Sequence, residues 1–251
     1  MAKQSSFLKL EGTIGDVTFT KTQDGYLAKQ KTTINASRIA SDPRFERTRE
    51  NNLEFGRAGK AVKLLRTALH SVIQAGKDSK LTDRLTKEMM KVIKADATSI
   101  RGQRNVIDGE SELLFGFNFN ANAALTSILF ASYTATINRV TGALTVNVPS
   151  LVPNKDVAVP EGTTHFALVS AGAEIDFENG VYTEASTSSG VLPWDDNDAG
   201  PVTLTNMVTA NSTHPLFLLF GIQFYQQVNG TNYTLNNNAF NPLAMVKVSG
   251  V

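Results

Sequence analysis

Five cations share one spacing and point to a contact. Lys80, Arg84, Lys87, Lys91 and Lys94 follow one another at intervals of four, three, four and three residues. Those intervals put all five on one side of an α-helix. Like charges so placed repel one another, so an acidic partner would stabilise the row. The partner would be an acidic surface of another copy or a polyanion; a solvated helix face is the plain alternative. Nucleic acid is the weaker candidate. No aromatic is interleaved with the stripe, and the acidic half of the chain would repel phosphates.

Other residues offer less. The run Asp195-Asp196-Asn197-Asp198-Ala199-Gly200 resembles the start of a calcium loop, with Asp196 and Asp198 as its oxygen ligands, but the closing bidentate Glu is missing. An exposed acidic loop is the preferred reading, with Trp194 beside it as a core or rim aromatic. Glu174, Asp176 and Glu178 alternate, and two carboxylates on one face are what glycoside hydrolysis needs. Alternating acids on a strand are expected to be its solvent face. His70, His165 and His214 lie far apart, none at a metal-ligand spacing, and are read as structural or surface residues. Gly12-x-x-Gly15 lacks the Gly-Lys-Ser/Thr of a phosphate loop. Sequons at Asn35, Asn211, Asn229 and Asn232 mean little without a signal peptide. With no cysteine in the chain, disulfides, thiolate zinc sites, iron–sulfur clusters and cysteine nucleophiles are excluded. No cofactor and no catalytic residue is expected.

Two charge regimes carry these residues. Residues 1–108 hold 21 Lys and Arg against 12 Asp and Glu, a balance of +9; residues 109–251 hold 3 against 11, a balance of −8. Such asymmetry implies a basic arm for polyanions or two complementary surfaces. The first ten residues lack a signal peptide's apolar run. The longest apolar stretch, Pro215 to Tyr225, is too short to span a bilayer. Cytoplasmic synthesis is expected, with assembly or release outside the cell left open.

The element pattern follows the same division. Asp16 to Lys21 and Tyr26 to Lys31 alternate around Asp24-Gly25, a hairpin signal. Asp42-Pro43 is a good helix start. Ala58, Ala61, Val62, Leu65, Leu69 and Val72 then keep helical spacing, and Gly56 and Gly59 would weaken that helix or admit close packing. Gly76 caps it. A second helix begins near Thr82 with Leu81, Leu85, Met89, Val92 and Ile93 on one face, predicting a helical hairpin. From residue 111 the period becomes two. Strands are predicted at Leu113 to Phe119, Ser127 to Ile137, Ala143 to Val148, Thr164 to Ser170, Val181 to Ala185, Val202 to Thr205, Leu216 to Gln226, Asn232 to Leu235 and Leu243 to Val248. Turns are predicted at Asn179-Gly180 and Asn229-Gly230. Short strands separated by turn signals predict a β-sandwich.

Gly12-Thr-Ile-Gly-Asp-Val-Thr-Phe19, Asp24-Gly-Tyr-Leu-Ala-Lys29, Asp42-Pro-Arg-Phe-Glu-Arg-Thr-Arg-Glu-Asn51 and Glu54-Phe-Gly56 resemble an uncharacterised bacterial family of about this length. Ala173 to Asn179 and Phe220 to Gly230 fit the same pattern. The hairpin is also similar to a domain of unknown function found ahead of β-sandwich modules. The resemblance implies no activity and transfers no site residues.

The expected architecture is therefore α+β: an N-terminal β-hairpin over residues 1–40, a basic helical hairpin over 41–108 and an acidic antiparallel β-sandwich over 109–251. The expected function is a self-assembling structural subunit of a filament, tube, sheath or virion-like shell. Copies would join head to tail through opposite charges, with strand addition from the hairpin. Phe19, Tyr26 and Leu27 would be apolar anchors and the five-residue stripe the charged contact. The alternatives are a monomeric carbohydrate- or polyanion-binding sandwich, and a hydrolase whose carboxylates meet only in the fold.

Overall fold

The computed structural model describes residues 2–5, 7–22, 25–31, 34–235 and 239–250. The chain is α+β and divides into two compact units, Met1–Asn51 and Asn52–Val251. In the first, β1 (Ala2–Lys3), β2 (Gly12–Ile14), β3 (Val17–Thr22) and β4 (Gly25–Gln30) form an antiparallel sheet in the order β1-β4-β3-β2. Gly15, at φ 58, makes the β2–β3 turn in the left-handed region open to glycine. Asp24, the first residue of the expected Asp-Gly turn, lies outside the described residues.

A short helix absent from the sequence reading, α1 (Ala36–Ser41), follows; Asn35 caps it by accepting the Arg38 N–H at 2.9 Å. The expected Asp42-Pro43 start holds: Asp42 accepts the Arg44 N–H at 3.0 Å, Pro43 opens a 3-10 turn, and α2 (Glu46–Ala68) continues from it. The division between the units falls within α2.

In the second unit the apolar spacing read across Leu69 to Val72 does not belong to one regular helix. Leu69 departs from helical geometry at φ −102 and ψ 22, and α3 (His70–Ala75) follows. Next come α4 (Leu81–Lys94), a 3-10 turn at Ser111–Leu114, α5 (Leu125–Ile128), β5 (Thr134–Asn138), β6 (Ala143–Val148) and α6 (Pro153–Asp156). Then follow β7 (His165–Asp176), β8 (Val181–Ser188), β9 (Leu192–Pro193), β10 (Val202–Met207), β11 (Leu216–Val228), β12 (Thr231–Thr234) and β13 (Leu243–Ser249). A three-stranded sheet runs β10-β6-β5. A six-stranded sheet runs β12-β11-β7-β8, with β13 added to β11 and β9 to β7.

Two predicted strands are corrected. Leu113 to Phe119 forms the 3-10 turn and then an extended run that bonds along β13, Gly116 N–H to Met245 O at 2.8 Å and Phe119 N–H to Leu243 O at 2.8 Å. Ser127 to Ile137 divides between α5 and β5, with Leu125 and Leu129 buried one helical turn apart. Both runs mix apolar residues with small or polar ones (Gly116 and Asn118; Ser127, Ser132, Thr134 and Thr136) in a strand-like order, so side-chain period could not separate strand from short turn.

β7 and β11 are buried on both faces, which is why they read as continuous apolar runs. Ala171, Ala173, Ile175, Phe217 and Leu219 pack with Leu65, Leu85, Met89 and Ile93 of α2 and α4 in one cluster. Phe166, Leu168, Leu218, Phe220 and Ile222 share a second cluster with Leu144, Val146 and Leu204 of β6 and β10. Gly172 marks a close approach: a Cβ there would stand 3.0 Å from Leu144 Cδ2 and from Asn206 Cβ. Gly56 and Gly59 do not provide close packing, since nothing lies within 4 Å of a Cβ built on either.

Candidate functional site

The four-stranded N-terminal sheet is two-sided. Phe19 lies opposite Ala28, Val17 opposite Gln30 and Ile14 opposite Val17. Side chains alternate along a strand, so Ile14, Val17, Phe19, Tyr26 and Ala28 share one face with Lys21 and Gln30. The other face carries Thr13, Thr18, Thr20, Thr22, Leu27 and Lys29. The expected anchors thus divide: Phe19 and Tyr26 fall together, and Leu27 falls on the opposite side. Lys21 Nζ stands 5.7 Å from the centre of the Tyr26 ring, within cation–π range. All three anchors are half-buried. None of the described residues in 1–51 is buried, and Ile14 is 63% exposed, Phe7 94% and Leu8 62%. Burial of one apolar face normally stabilises such a sheet.

The basic stripe lies on α4 as its spacing predicts, but its members do different things. Arg84 is a strut: it pairs with Asp78, donates to Asn118 O at 2.7 Å and Phe119 O at 3.0 Å, and lies 5.1 Å from the Phe117 ring. Burial pushes the Asp78 carboxyl up, but the N–H groups of Ala121 and Lys80, with Arg84, outweigh it and hold Asp78 below its ordinary value. Lys91 pairs with Glu88 at 2.5 Å. Lys80 precedes the first turn of α4, and Lys87 and Lys94 are exposed.

In the acidic loop, Asp198 accepts the N–H groups of Leu151 at 3.1 Å and Gly200 at 2.9 Å, which hold its carboxyl down, and Asp196 accepts from the Asn154 amide. Trp194 is half-buried and donates to Val157 O at 3.3 Å. Among the described residues no group of three or more His, Asp or Glu is arranged to hold a metal ion.

The alternating acids are not on a solvent face. Glu174 and Asp176 are buried, and only Glu178 is exposed. His214 sits between them, Nδ1 at 3.0 Å from Glu174 and Nε2 at 3.6 Å from Asp176, and Ser212 Oγ donates to Glu174 at 2.5 Å. Burial pushes Glu174 up, yet the bonds from Ser212, Thr209 and His214 bring it below its ordinary value. Asp176 is held down first by the Asn179 N–H and side chain. Both imidazole nitrogens face carboxylates, so the ring has no nitrogen turned toward Ser212 to activate it as a nucleophile. Its physical effect is to tie the 208–214 loop to β7. His214 and Glu174 lie forty positions apart, beyond any spacing motif.

One further feature is a groove of about 510 Å³ between α2, residues 105–107 and the β7–β8 turn. Sequence reasoning missed it because its walls come from three separate segments; the signal was Lys60 and Lys63, three residues apart beside buried Ala61. Comparison with protein-family models, curated proteins and solved structures returns no match.

Proposed function

We propose that the chain is a self-assembling structural subunit whose N-terminal sheet is completed by another copy. The observation that carries this reading is the apolar cluster Ile14, Val17, Phe19, Tyr26 and Ala28 on a sheet face bordered by Lys21 and Gln30, in a segment without one buried residue among those described. A sheet with no core of its own gains stability only by covering that face. A second copy supplies the cover at every concentration where the chain itself is abundant. The short edge strands β1 and β2 leave backbone groups available for strand addition.

Charge would steer the encounter rather than supply its affinity. Lys87 and Lys94 are the stripe members best placed for that role, whereas Arg84 is committed to Asp78. The three-stranded and six-stranded sheets, whose facing residues share one cluster, are read as the β-sandwich of such a subunit, and the family resemblance fits this reading. The hydrolase alternative needs a carboxyl held neutral as a general acid. The displaced carboxylates, Asp42, Asp78, Asp96, Glu174, Asp176 and Asp198, are all driven down.

Light scattering and electron microscopy on the full chain, beside a variant lacking residues 1–35, test the proposal. Regular particles from the full chain and single-chain species from the truncated one are expected. A full chain that stays monomeric at every concentration, or a truncated chain that still forms the same particles, overturns it.

A further inference from the structure

The groove between α2 and the β7–β8 turn has the size and chemistry of a ligand site. Its volume of about 510 Å³ falls within the roughly 300–1,000 Å³ of small-molecule sites. Leu64 and Phe177 line it and are partly buried against the helix–sheet core, and Val106 beside them is 5% exposed. The floor is therefore apolar and backed by rigid packing. Arg57 donates to Gly102 O at 2.6 Å and Arg104 O at 3.1 Å, which fixes the 102–107 segment against α2 and holds the wall in place.

Charge completes the picture. Lys60 and Lys63 line the α2 side three residues apart, and neither they nor Arg57 is in an ion pair among the described residues. Glu178, in the β7–β8 turn, is the one acid in the lining. An anionic group is therefore drawn to the α2 side. An apolar body with one anionic end suits this lining. A neutral hydrocarbon would leave the two ammonium groups unanswered, and a polyanion would waste the floor. The N-terminal unit of another copy fits poorly, since residues 1–51 hold nine Lys and Arg against six Asp and Glu and would bring like charge to the lysines.

We propose that this groove binds a long-chain carboxylate, its alkyl tail on Leu64, Val106 and Phe177 and its carboxylate at Lys60 and Lys63. The inference is independent of the assembly reading, and its test does not depend on particle formation. Octanoate, decanoate and dodecanoate, each below its micelle concentration, are titrated calorimetrically into the full chain, with decanol as the uncharged control. Saturable binding of one carboxylate per chain is expected, tightening by about two- to fourfold per methylene, because the half-open groove buries only part of each added group. Decanol should bind several-fold more weakly than decanoate. The double variant K60Q/K63Q should lose about five- to tenfold in decanoate affinity, two exposed charge contacts being removed. It should keep its decanol affinity and its urea midpoint. Absence of saturable binding overturns the proposal, as does affinity indifferent to chain length, or a double variant that binds decanoate as the parent does.

Discussion

Arg139 shows how much one side chain can hold. Its guanidinium donates to Ser212 O and His214 O at 2.8 Å each, to Ser249 O at 3.1 Å, to Ser249 Oγ at 2.9 Å and to Gly250 O at 2.6 Å. One planar fork thus joins the end of β5, the loop before β11 and the end of β13. Truncation leaves several carbonyls without a donor, so Arg139→Ala should cost about 3 kcal/mol. For a chain of this size that is a fall of about 6–12 °C in Tm, read by thermal unfolding. Arg139→Lys should recover little, because an ammonium cannot reproduce the fork. Asp96 is the acidic counterpart. Burial pushes its carboxyl up, but the N–H groups of Ser99, Asn105 and Thr98 outweigh burial and hold it far below its ordinary value of 3.8. A carboxylate depressed on folding contributes stability above its unfolded pKa and loses it as pH falls toward the folded one. Urea midpoints should therefore fall below about pH 4, and Asp96→Asn should lower the neutral-pH midpoint while flattening that acid limb. A parallel acid limb in the variant would assign the effect to the other depressed carboxylates.

At the scale of elements, Gly172 sets how closely β7 approaches β6 and β10. A Val side chain there would drive into Leu144 and Asn206. Gly172→Val should cost about 1–3 kcal/mol by overpacking, measured by denaturant unfolding. Substitution at Gly56, which meets nothing within 4 Å, should be harmless or stabilising, as Gly56→Ala removes unfolded-chain freedom. The elements most legible in the sequence were those with a clean period or a strong cap: β6, β10, the start of α2 at Asp42-Pro43, and the Asn229-Gly230 turn, where both residues take positive φ. The 113–119 and 127–133 runs were illegible because their mix of apolar and polar residues imitates a strand, while tertiary bonds to β13 and to residues 156–158 decide their form. The stripe on α4 was legible as a face, but Arg84's commitment was not, because Asp78 and the 117–119 carbonyls reach it only in the fold. Glu174 and Asp176 misled for a related reason: alternation fixes which side of a strand a residue takes, not whether that side faces water.

For the molecule as a whole, many charged side chains already have partners within the chain. In the C-terminal part, Glu112, Asp156, Glu174, Asp176, Glu184, Asp195, Asp196 and Asp198 all accept hydrogen bonds within the chain. Arg84 and Lys91 on the basic side are likewise engaged with Asp78 and Glu88. The neutral donors orient these carboxylates without cancelling their charge, whereas Arg84 and Lys91 are offset by their partners. In the assembly proposed above, apolar cover of the N-terminal sheet should dominate, with charge as a rate term. Raising salt to about 1 M shrinks the Debye length to roughly 3 Å and strengthens apolar contact only for excluded salts. Assembly driven by the sheet face should slow in sodium chloride yet reach the same particle mass, whereas assembly driven by charge should lose mass. The charge reversal K87E/K94E should act as salt does, slowing growth without changing the end point. Phe19→Glu should abolish particles at every salt concentration, because it places a carboxylate in the centre of the face to be covered. Scattering traces recorded over time for the parent and both variants separate the two drives. Particle mass that falls in K87E/K94E while Phe19→Glu assembles normally would move the contact from the sheet to α4.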